Sequence, residues 1–262
     1  MIKIEKDFVN IPPSLQVPPV NSSSIATHKY RQQIIAARAY PSGNSAVDKR
    51  YKMEDIKTRL FNIYNGKCAF CEQRVERWQV EHFRPKSVYY WLAFSWDNLL
   101  YACPDCNGSK SNHFDTKKSK VKNPPVDLTQ INTLAASYDA TEQPKFICPE
   151  REDPEPLLVF QRDGLVKSKP RNPRCKYTLD TCQIYRPYLN DNRKKILDDF
   201  ENDVKSEAAE GASKAEIERT VQVIIRKFRR DANNPKNEYL AFRRYAAQHL
   251  LSAILRAALG PE

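Results

Sequence analysis

Two Cys-x-x-Cys pairs constrain this chain more than any other feature of its sequence. Cys68 and Cys71 form the first pair and Cys103 and Cys106 the second, with residues 72–102 between them. Each pair can bring two thiolates to about 2.3 Å from one tetrahedral Zn²⁺. A single pair would also suit a thioredoxin-like redox turn, but two pairs that flank a compact segment favour a structural zinc site.

The charge balance predicts a polyanionic partner. The 262 residues include 43 Lys and Arg against 32 Asp and Glu, which gives a formal charge of +11. Phosphate contacts supply most non-specific affinity for nucleic acid, so a nucleic-acid partner is expected, although a basic protein without one has the same composition. No apolar run is long enough for a membrane span, and the N-terminus lacks a secretory signal. We therefore expect a soluble, cytoplasmic protein with no membrane partner.

The cysteine count argues against a disulfide framework. Seven is an odd number, and cytosolic thiols stay reduced. The three cysteines without a partner at metal-binding spacing are expected to be packed in the interior: Cys148, Cys175 and Cys182.

Local patterns outline the first half of the chain. Residues 1–27 hold four prolines and a Ser/Asn cluster, which predicts an extended arm. Apolar spacing predicts helices over 28–40 and 53–64, the second leading into Cys68. Between the cysteine pairs, residues 79–83 alternate like a strand and 99–102 form a second strand or turn. A short helix is expected from Cys106 onward.

The second half is expected to be mainly helical. Asp163-Gly164 predicts the tight turn of a β-hairpin. Three helices follow, the first ending at Gly211 and the second opening with the capping box Ser213-x-x-Glu216. The third is predicted over 238–259. Their apolar stripes suit either the core or a docked partner.

The segment between the pairs carries the residues with reactive chemistry. Glu81-His82 is followed by Asn98 and then by Asn107-x-x-Lys110 directly after the last cysteine. Hydrolysis of a phosphodiester needs a base for water and a cation for the developing charge, and imidazole is the natural base near neutral pH. A carboxylate and a carboxamide supply oxygen ligands for a hard divalent ion. Neighbours on a strand point to opposite faces, so Glu81 and His82 meet one site only if the strand twists or the two act from different sides.

These residues resemble the ββα-metal motif of HNH endonucleases. The Val80–Lys86 run and the Trp96-Asp97-Asn98-Leu99-Leu100 run are similar to retron-associated HNH endonucleases. Those are in turn similar to the nuclease subunit of Septu-type antiphage systems, which works beside an ATPase. The resemblance implies an α+β protein in which a zinc-stapled HNH finger is embedded in a mostly α-helical chain. The expected parts are an arm and helix (1–47), a nuclease domain with the four-cysteine zinc site (48–125) and a helical region (126–262).

The resemblance also assigns roles to individual residues. His82 would be the general base, and Glu81 would ligate a catalytic Mg²⁺ or Mn²⁺. Asn98 would tie the loop between the two strands and orient His82. Asn107 stands at the third motif position, where histidine is commoner, and would be the second ligand of the catalytic metal. This departure leaves the preferred metal open, because asparagine is a weaker ligand than imidazole.

Other residues of the segment have two possible roles each. Arg84, Lys86 and Lys110 are candidate phosphate contacts, and each is equally suited to a solvated surface. His113 lies on the opposite side of the expected helix from Asn107, which favours packing or phosphate contact over metal binding. The aromatic residues of the segment suit a small core better than base stacking: Tyr89, Tyr90, Trp91, Phe94 and Trp96.

Two other classes of function stay open at this point. A non-catalytic zinc module that binds nucleic acid or protein would keep the cysteines, yet it has no need for Glu81, His82 and Asn107 together. An interaction protein would use its last helices on a partner, which the Septu resemblance suggests is an ATPase subunit. The choice between DNA and RNA as substrate also stays open.

Overall fold

The protein combines helices with two small antiparallel sheets, which confirms the predicted α+β class. The computed structural model describes residues 1–209 and 213–259. The helices within these ranges are α1 (Ser22–Ala37), α2 (Ser45–Asp48), α3 (Glu54–Tyr64), α4 (Pro104–Lys110), α5 (Ala135–Glu142), α6 (Pro173–Thr181), α7 (Pro187–Ala209), α8 (Lys214–Asn233), α9 (Leu240–His249) and α10 (Leu251–Leu259). The strands are β1 (Gln79–His82), β2 (Leu99–Ala102), β3 (Leu158–Phe160) and β4 (Val166–Ser168).

The first helix begins six residues earlier than predicted. Asn21 caps α1, because its side chain accepts from the Ser24 N–H at 2.9 Å while the Ser24 hydroxyl oxygen accepts from the Asn21 N–H at 2.9 Å. This reciprocal capping box satisfies donors that would be unpaired at a helix start. The Ser/Asn cluster therefore starts a helix rather than ending an extended arm.

The residues before α1 contain little regular structure but pack against the segment that carries the cysteine pairs. The buried Lys6 ammonium donates to the carbonyl oxygens of Trp96 (2.7 Å) and Leu99 (2.6 Å). It also pairs with Glu150 at 3.1 Å. Contacts thus cross both of the segment boundaries that the sequence suggested, at 47/48 and 125/126.

A ββα unit lies at the centre of the fold. β1 pairs antiparallel with β2, so that Glu81 faces Leu100 and His82 faces Leu99 across the ladder. All four residues of β2 are buried, which suits a strand covered on both faces. α4 begins at Pro104, two residues before its predicted start, because proline is favoured at the first position of a helix.

The aromatic residues of the central segment form the core, as predicted. Tyr89, Trp91, Phe94 and Trp96 are at most 1% exposed, and Tyr90 is half-buried. The three cysteines outside the two Cys-x-x-Cys pairs are also buried: Cys148, Cys175 and Cys182.

The predicted hairpin is present. β3 pairs antiparallel with β4, and Gly164 takes a φ of +80° in the turn between them. The Ser213–Glu216 capping box also forms at the start of α8, with the Ser213 N–H donating to the carboxylate at 2.9 Å. The predicted helix end at Gly211 lies outside the described residues.

The prediction of one continuous helix over residues 238–259 is wrong. Residues 238–259 form two helices, α9 and α10, that meet at Leu250. The break allows Leu251 and Ile254, each 5% exposed, to pack in the core beside α7. This apolar stripe therefore stabilises the fold from within and is not free for a docked partner. Of the helices described, none combines the length and apolar character needed to cross a membrane.

Candidate active site and metal centre

The four paired cysteines meet in one buried cluster. Their Sγ atoms all lie within 4.8 Å of one another, and the Sγ atoms of Cys71 and Cys103 are 3.8 Å apart. A tetrahedral zinc with Zn–S distances of about 2.3 Å needs sulfur atoms about 3.8 Å apart. The donor set and its spacing therefore fit a structural zinc ion held by Cys68, Cys71, Cys103 and Cys106.

Two donors support the sulfur atoms of the second pair. The Cys106 N–H donates to Cys103 Sγ at 3.3 Å. The guanidinium of Arg186 lies 3.6 and 3.7 Å from Cys106 Sγ through its two terminal nitrogens. A cation beside anionic thiolates offsets their charge, a role that the isolated position of Arg186 in the sequence did not indicate.

Two residues that flank the first cysteine pair connect this centre to the C-terminal helices. The Lys67 ammonium donates to the carbonyl oxygens of Pro235 (2.5 Å) and Asn237 (2.7 Å). The buried Glu72 carboxylate accepts from the Ala241 N–H at 3.2 Å. The start of α9 is therefore fixed on the cysteine centre.

His82 ends β1 with its ring enclosed and its tautomer set. Nε2 lies 3.0 Å from the carbonyl oxygen of Ala93, which can only accept, so Nε2 carries the proton of the neutral ring. Tyr51 packs edge-on against the ring at 4.6 Å. Within the described residues, Nδ1 accepts no hydrogen bond. Burial, aided by Lys86, lowers the His82 pKa to about 3, so the ring is neutral at pH 7.

Glu81 lies on the other face of β1 from His82, as strand geometry predicts. Its carboxylate is buried, and the ammonium of Lys110 on α4 lies 2.5 Å from Oε1. Burial raises the Glu81 pKa above its ordinary value, and Lys110 opposes that rise. Lys110 also donates to the His82 carbonyl oxygen at 2.8 Å. Because Lys110 is fully buried, the prediction that it contacts phosphate is wrong for this conformation.

Asn107 faces the same side of β1 as Glu81. It is half-buried on α4, and its Nδ2 donates to Gln79 Oε1 at 2.5 Å. Gln79 and Glu81 are two residues apart and thus share a strand face. In the part of the chain that the structure describes, Asn107 Oδ1 accepts no hydrogen bond, which leaves it open to a cation. The oxygens of Glu81 and Asn107 fit a hard divalent ion in their chemistry.

Asn98 joins the two ends of the loop between the strands. Its Oδ1 accepts from the Arg84 N–H at 2.7 Å, and its Nδ2 donates to the carbonyl oxygens of Arg84 (3.0 Å) and Leu92 (3.2 Å). Ala93, whose carbonyl holds the His82 ring, directly follows Leu92. The Asn98 side chain therefore fixes the backbone that orients His82.

Arg84 is not available to phosphate, which corrects its predicted role. Its side chain is 1% exposed and pairs with Glu142 at 2.8 Å and with Asp139 at 2.7 Å, both on α5. Glu142 is itself fully buried and also accepts from the Tyr89 hydroxyl at 2.7 Å. No local pattern in the sequence pointed to Glu142, because its partners lie far away along the chain.

Lys86 is the predicted phosphate contact that keeps access to solvent. Its side chain is 27% exposed, and its ammonium donates to Asp48 (3.1 Å) and to the Tyr51 hydroxyl (2.8 Å). Tyr51 also touches His82, so Lys86 stands beside the candidate base. His113 is exposed after the end of α4, and the structure gives it no packing role.

The site lies within a match to a known family. Residues 68–113 match the HNH endonuclease family, a range that contains both cysteine pairs, Glu81, His82, Asn98 and Asn107. The chain therefore carries an HNH endonuclease domain, as the motif resemblance predicted, and its four-cysteine cluster is placed to bind zinc.

Relatives extend the similarity beyond this domain. The chain is 30% identical to the Septu protein PtuB of Bacillus mycoides (strain KBAB4) over 168 residues, which is 58% of this chain and 54% of the relative. It is 43% identical to the Septu protein PtuB of Bacillus thuringiensis over 101 residues, or 37% of each protein. The Septu protein PtuA of Bacillus mycoides (strain KBAB4) matches at 28% over 175 residues, 60% of this chain and 23% of that protein. The chain thus spans about half or less of the length of these relatives.

Proposed function

We propose that this chain is the metal-dependent endonuclease of a Septu-type antiphage defence system and hydrolyses phosphodiester bonds of DNA or RNA. One observation carries the proposal. Within the HNH match, the Nε2–H of the neutral His82 ring donates to Ala93, which leaves Nδ1 as the basic nitrogen, with no hydrogen bond to it among the described residues. A non-catalytic zinc module needs no base in this state.

His82 acts as the general base. Nδ1 takes the proton of a water molecule that attacks phosphorus, and the Nε2–H bond to Ala93 keeps the ring oriented as it becomes charged. Burial and nearby cations depress the pKa of the free site, and an arriving phosphodiester anion opposes this effect. Asn98 contributes by holding the loop that includes Leu92 next to Ala93.

Glu81 and Asn107 are the residues that would hold a catalytic Mg²⁺ or Mn²⁺. Such an ion, when bound, neutralises charge on the pentacoordinate phosphorus and the leaving oxygen. Lys110 pairs with Glu81 from α4 and opposes the rise in the Glu81 pKa that burial causes. The family resemblance implies products with 5′-phosphate and 3′-hydroxyl ends.

Lys86 is the remaining candidate for contact with the substrate phosphate. Its ammonium stands beside the candidate base and reaches solvent, whereas Arg84 and Lys110 are committed to buried carboxylates. The Tyr40 ring lies 4.2 Å from the ammonium and limits its movement.

The relatives named Septu PtuA and PtuB support a partner subunit, which we propose is an ATPase. A restrained complex would protect the cell from a nuclease that carries +11 charge. Leu251 and Ile254 of the α10 stripe are buried in the core, so these two residues are not available for docking. A retron association and a cytoplasmic location remain predictions from the sequence.

The test compares the wild-type chain with His82→Ala on single-stranded DNA, duplex DNA and tRNA in Mg²⁺ or Mn²⁺. We expect a rate loss of about 10²–10⁴ with unchanged zinc content, since a general base contributes about this much. His249→Ala, at an exposed histidine on α9, is the matched control and should keep full activity. Binding without cleavage by the wild-type chain would instead support the non-catalytic zinc module.

A further inference from the structure

A basic cavity lies between the β3–β4 hairpin and α6, outside the HNH match. Its volume is about 620 Å³, and its wall includes Lys167, Lys169 and Arg171. All three side chains belong to exposed residues, and within residues 1–209 and 213–259 none of them forms an ion pair. The neighbouring Lys176 is different, because its ammonium is held by Asp180 at 2.5 Å. Three cations are therefore available to an anion at this cavity.

The rest of the cavity is suited to a flat apolar group. Leu165, Val166 and Leu179 line it, and the Tyr185 ring, 40% exposed, stands at its edge. An aromatic ring beside unpaired cations is the arrangement that binds a nucleobase by stacking and its phosphate by charge. The volume of about 620 Å³ exceeds what one nucleotide fills.

A short series of contacts links the cavity to the candidate active site. Tyr185 is followed by Arg186, whose guanidinium contacts Cys106 Sγ at 3.6 Å. Cys106 is followed by Asn107, a candidate ligand of the catalytic metal. These contacts connect the wall of the cavity to the helix that carries Asn107.

We infer that this cavity binds one unpaired nucleotide of the substrate, with the base on Tyr185 and the phosphate on Lys167, Lys169 and Arg171. The inference rests on the proposed nuclease function, because it places a flanking nucleotide of the same substrate. A base must be unpaired to stack on a side chain in this way, so the cavity favours single-stranded segments over duplex.

The experiment measures binding of fluorescein-labelled single-stranded oligonucleotides, about ten nucleotides long, to the full chain carrying His82→Ala. Tyr185→Leu should raise Kd about tenfold for single strands and leave Kd for duplex unchanged. The triple variant Lys167→Gln, Lys169→Gln, Arg171→Gln should raise Kd at least tenfold and lower the salt dependence of binding. The matched control Arg226→Gln, Lys227→Gln, Arg230→Gln removes the same charge from exposed residues of α8 and should change Kd less than threefold.

Two results would overturn the inference: an unchanged Kd in Tyr185→Leu, or equal losses in the two triple variants. Zinc content and melting temperature identify any variant that fails to fold, and Tyr185→Phe, which keeps the ring, should bind like the parent. Cleavage by the chain with His82 intact separates the two proposals. If the chain with His82 intact cleaves nucleic acid and the cavity variants bind as tightly as the parent, the proposal for the cavity is overturned and the nuclease proposal stands. Selective loss of binding without any cleavage supports the cavity and overturns the nuclease proposal.

Discussion

The ammonium of Lys110 lies 2.5 Å from Glu81 Oε1, and both side chains are buried. The same ammonium donates to the backbone carbonyl of His82. One lysine thus connects α4 to both residues at the end of β1. A buried ion pair contributes little net stability compared with apolar packing, but it becomes costly when one partner is removed.

We expect Lys110→Met to lower the free energy of unfolding by about 3–5 kcal/mol, because Glu81 would remain as an uncompensated buried carboxylate. Urea unfolding measures the change. The double variant Lys110→Met, Glu81→Gln should recover part of the loss, since no buried charge remains.

The matched control is Lys195→Met, which removes an exposed lysine paired with Asp199 at 2.7 Å and should leave the urea midpoint nearly unchanged. A Lys110→Met protein of unaltered stability that has lost affinity for nucleic acid would restore Lys110 as a phosphate contact.

Zinc should be present at about one ion per chain. Cys106→Ser should abolish zinc binding and unfold the central unit, because the four-sulfur centre is closed and a structural zinc supplies folding free energy. Cys175→Ser is the control, since this buried thiol lies outside the cluster. Elemental analysis and circular dichroism give both readouts, and a folded, zinc-free wild-type chain would contradict the assignment.

Asp97 should make stability depend on pH. Burial raises its pKa from 3.8 to about 6, although it accepts from the Ala135 N–H at 2.6 Å. Folding therefore favours the protonated form of Asp97. The stabilisation of the folded state that results is fully present below pH 3.8 and is lost as the pH rises to about 6. Asp97→Asn keeps an acceptor and does not titrate. The free energy of unfolding of Asp97→Asn, relative to that of the wild type, should therefore increase between pH 4 and 6, by at most about 3 kcal/mol. A difference that is constant across pH 4–7 would exclude this effect.

Two glycines with the same backbone angle separate strain from steric overlap. Gly43 and Gly164 both have a φ of +80°, but a Cβ at Gly43 meets nothing within 4 Å, whereas one at Gly164 would lie 2.1 Å from the Asn190 carbonyl oxygen. Gly43→Ala should cost about 1 kcal/mol from the left-handed backbone alone. Gly164→Ala should cost about 2 kcal/mol more, because the hairpin must move away from α7. Equal shifts in the urea midpoint would show that the turn relaxes freely.

Short-range patterns led to reliable predictions. The cysteine pairs, the Asp163-Gly164 turn and the Ser213–Glu216 capping box each depend on residues a few positions apart, and each appears in the structure. The opposite orientation of Glu81 and His82 followed from strand geometry alone.

Long-range partners could not be predicted in this way. Arg84 resembles a surface cation until α5 supplies Glu142, 58 residues later, to bury it. Lys110 likewise resembles an exposed helix lysine, because nothing near it in sequence shows that Glu81 will face it. The break at Leu250 depends on packing beside α7 and has no glycine or proline to announce it.

The contacts of Lys67 and Glu72 with the start of α9 have a consequence for synthesis of the chain. Lys67 contacts Asn237, which is 170 positions later in the chain, and Glu72 contacts Ala241, which is 169 positions later. Non-local contacts of this kind form late, because the intervening chain must first be made and ordered. On the ribosome, the support of the cysteine centre therefore stays unfinished until translation has passed Ala241. A nascent chain that stalls earlier would expose a cysteine turn without its helical support, and chaperones or proteases would meet it before any nucleic acid does.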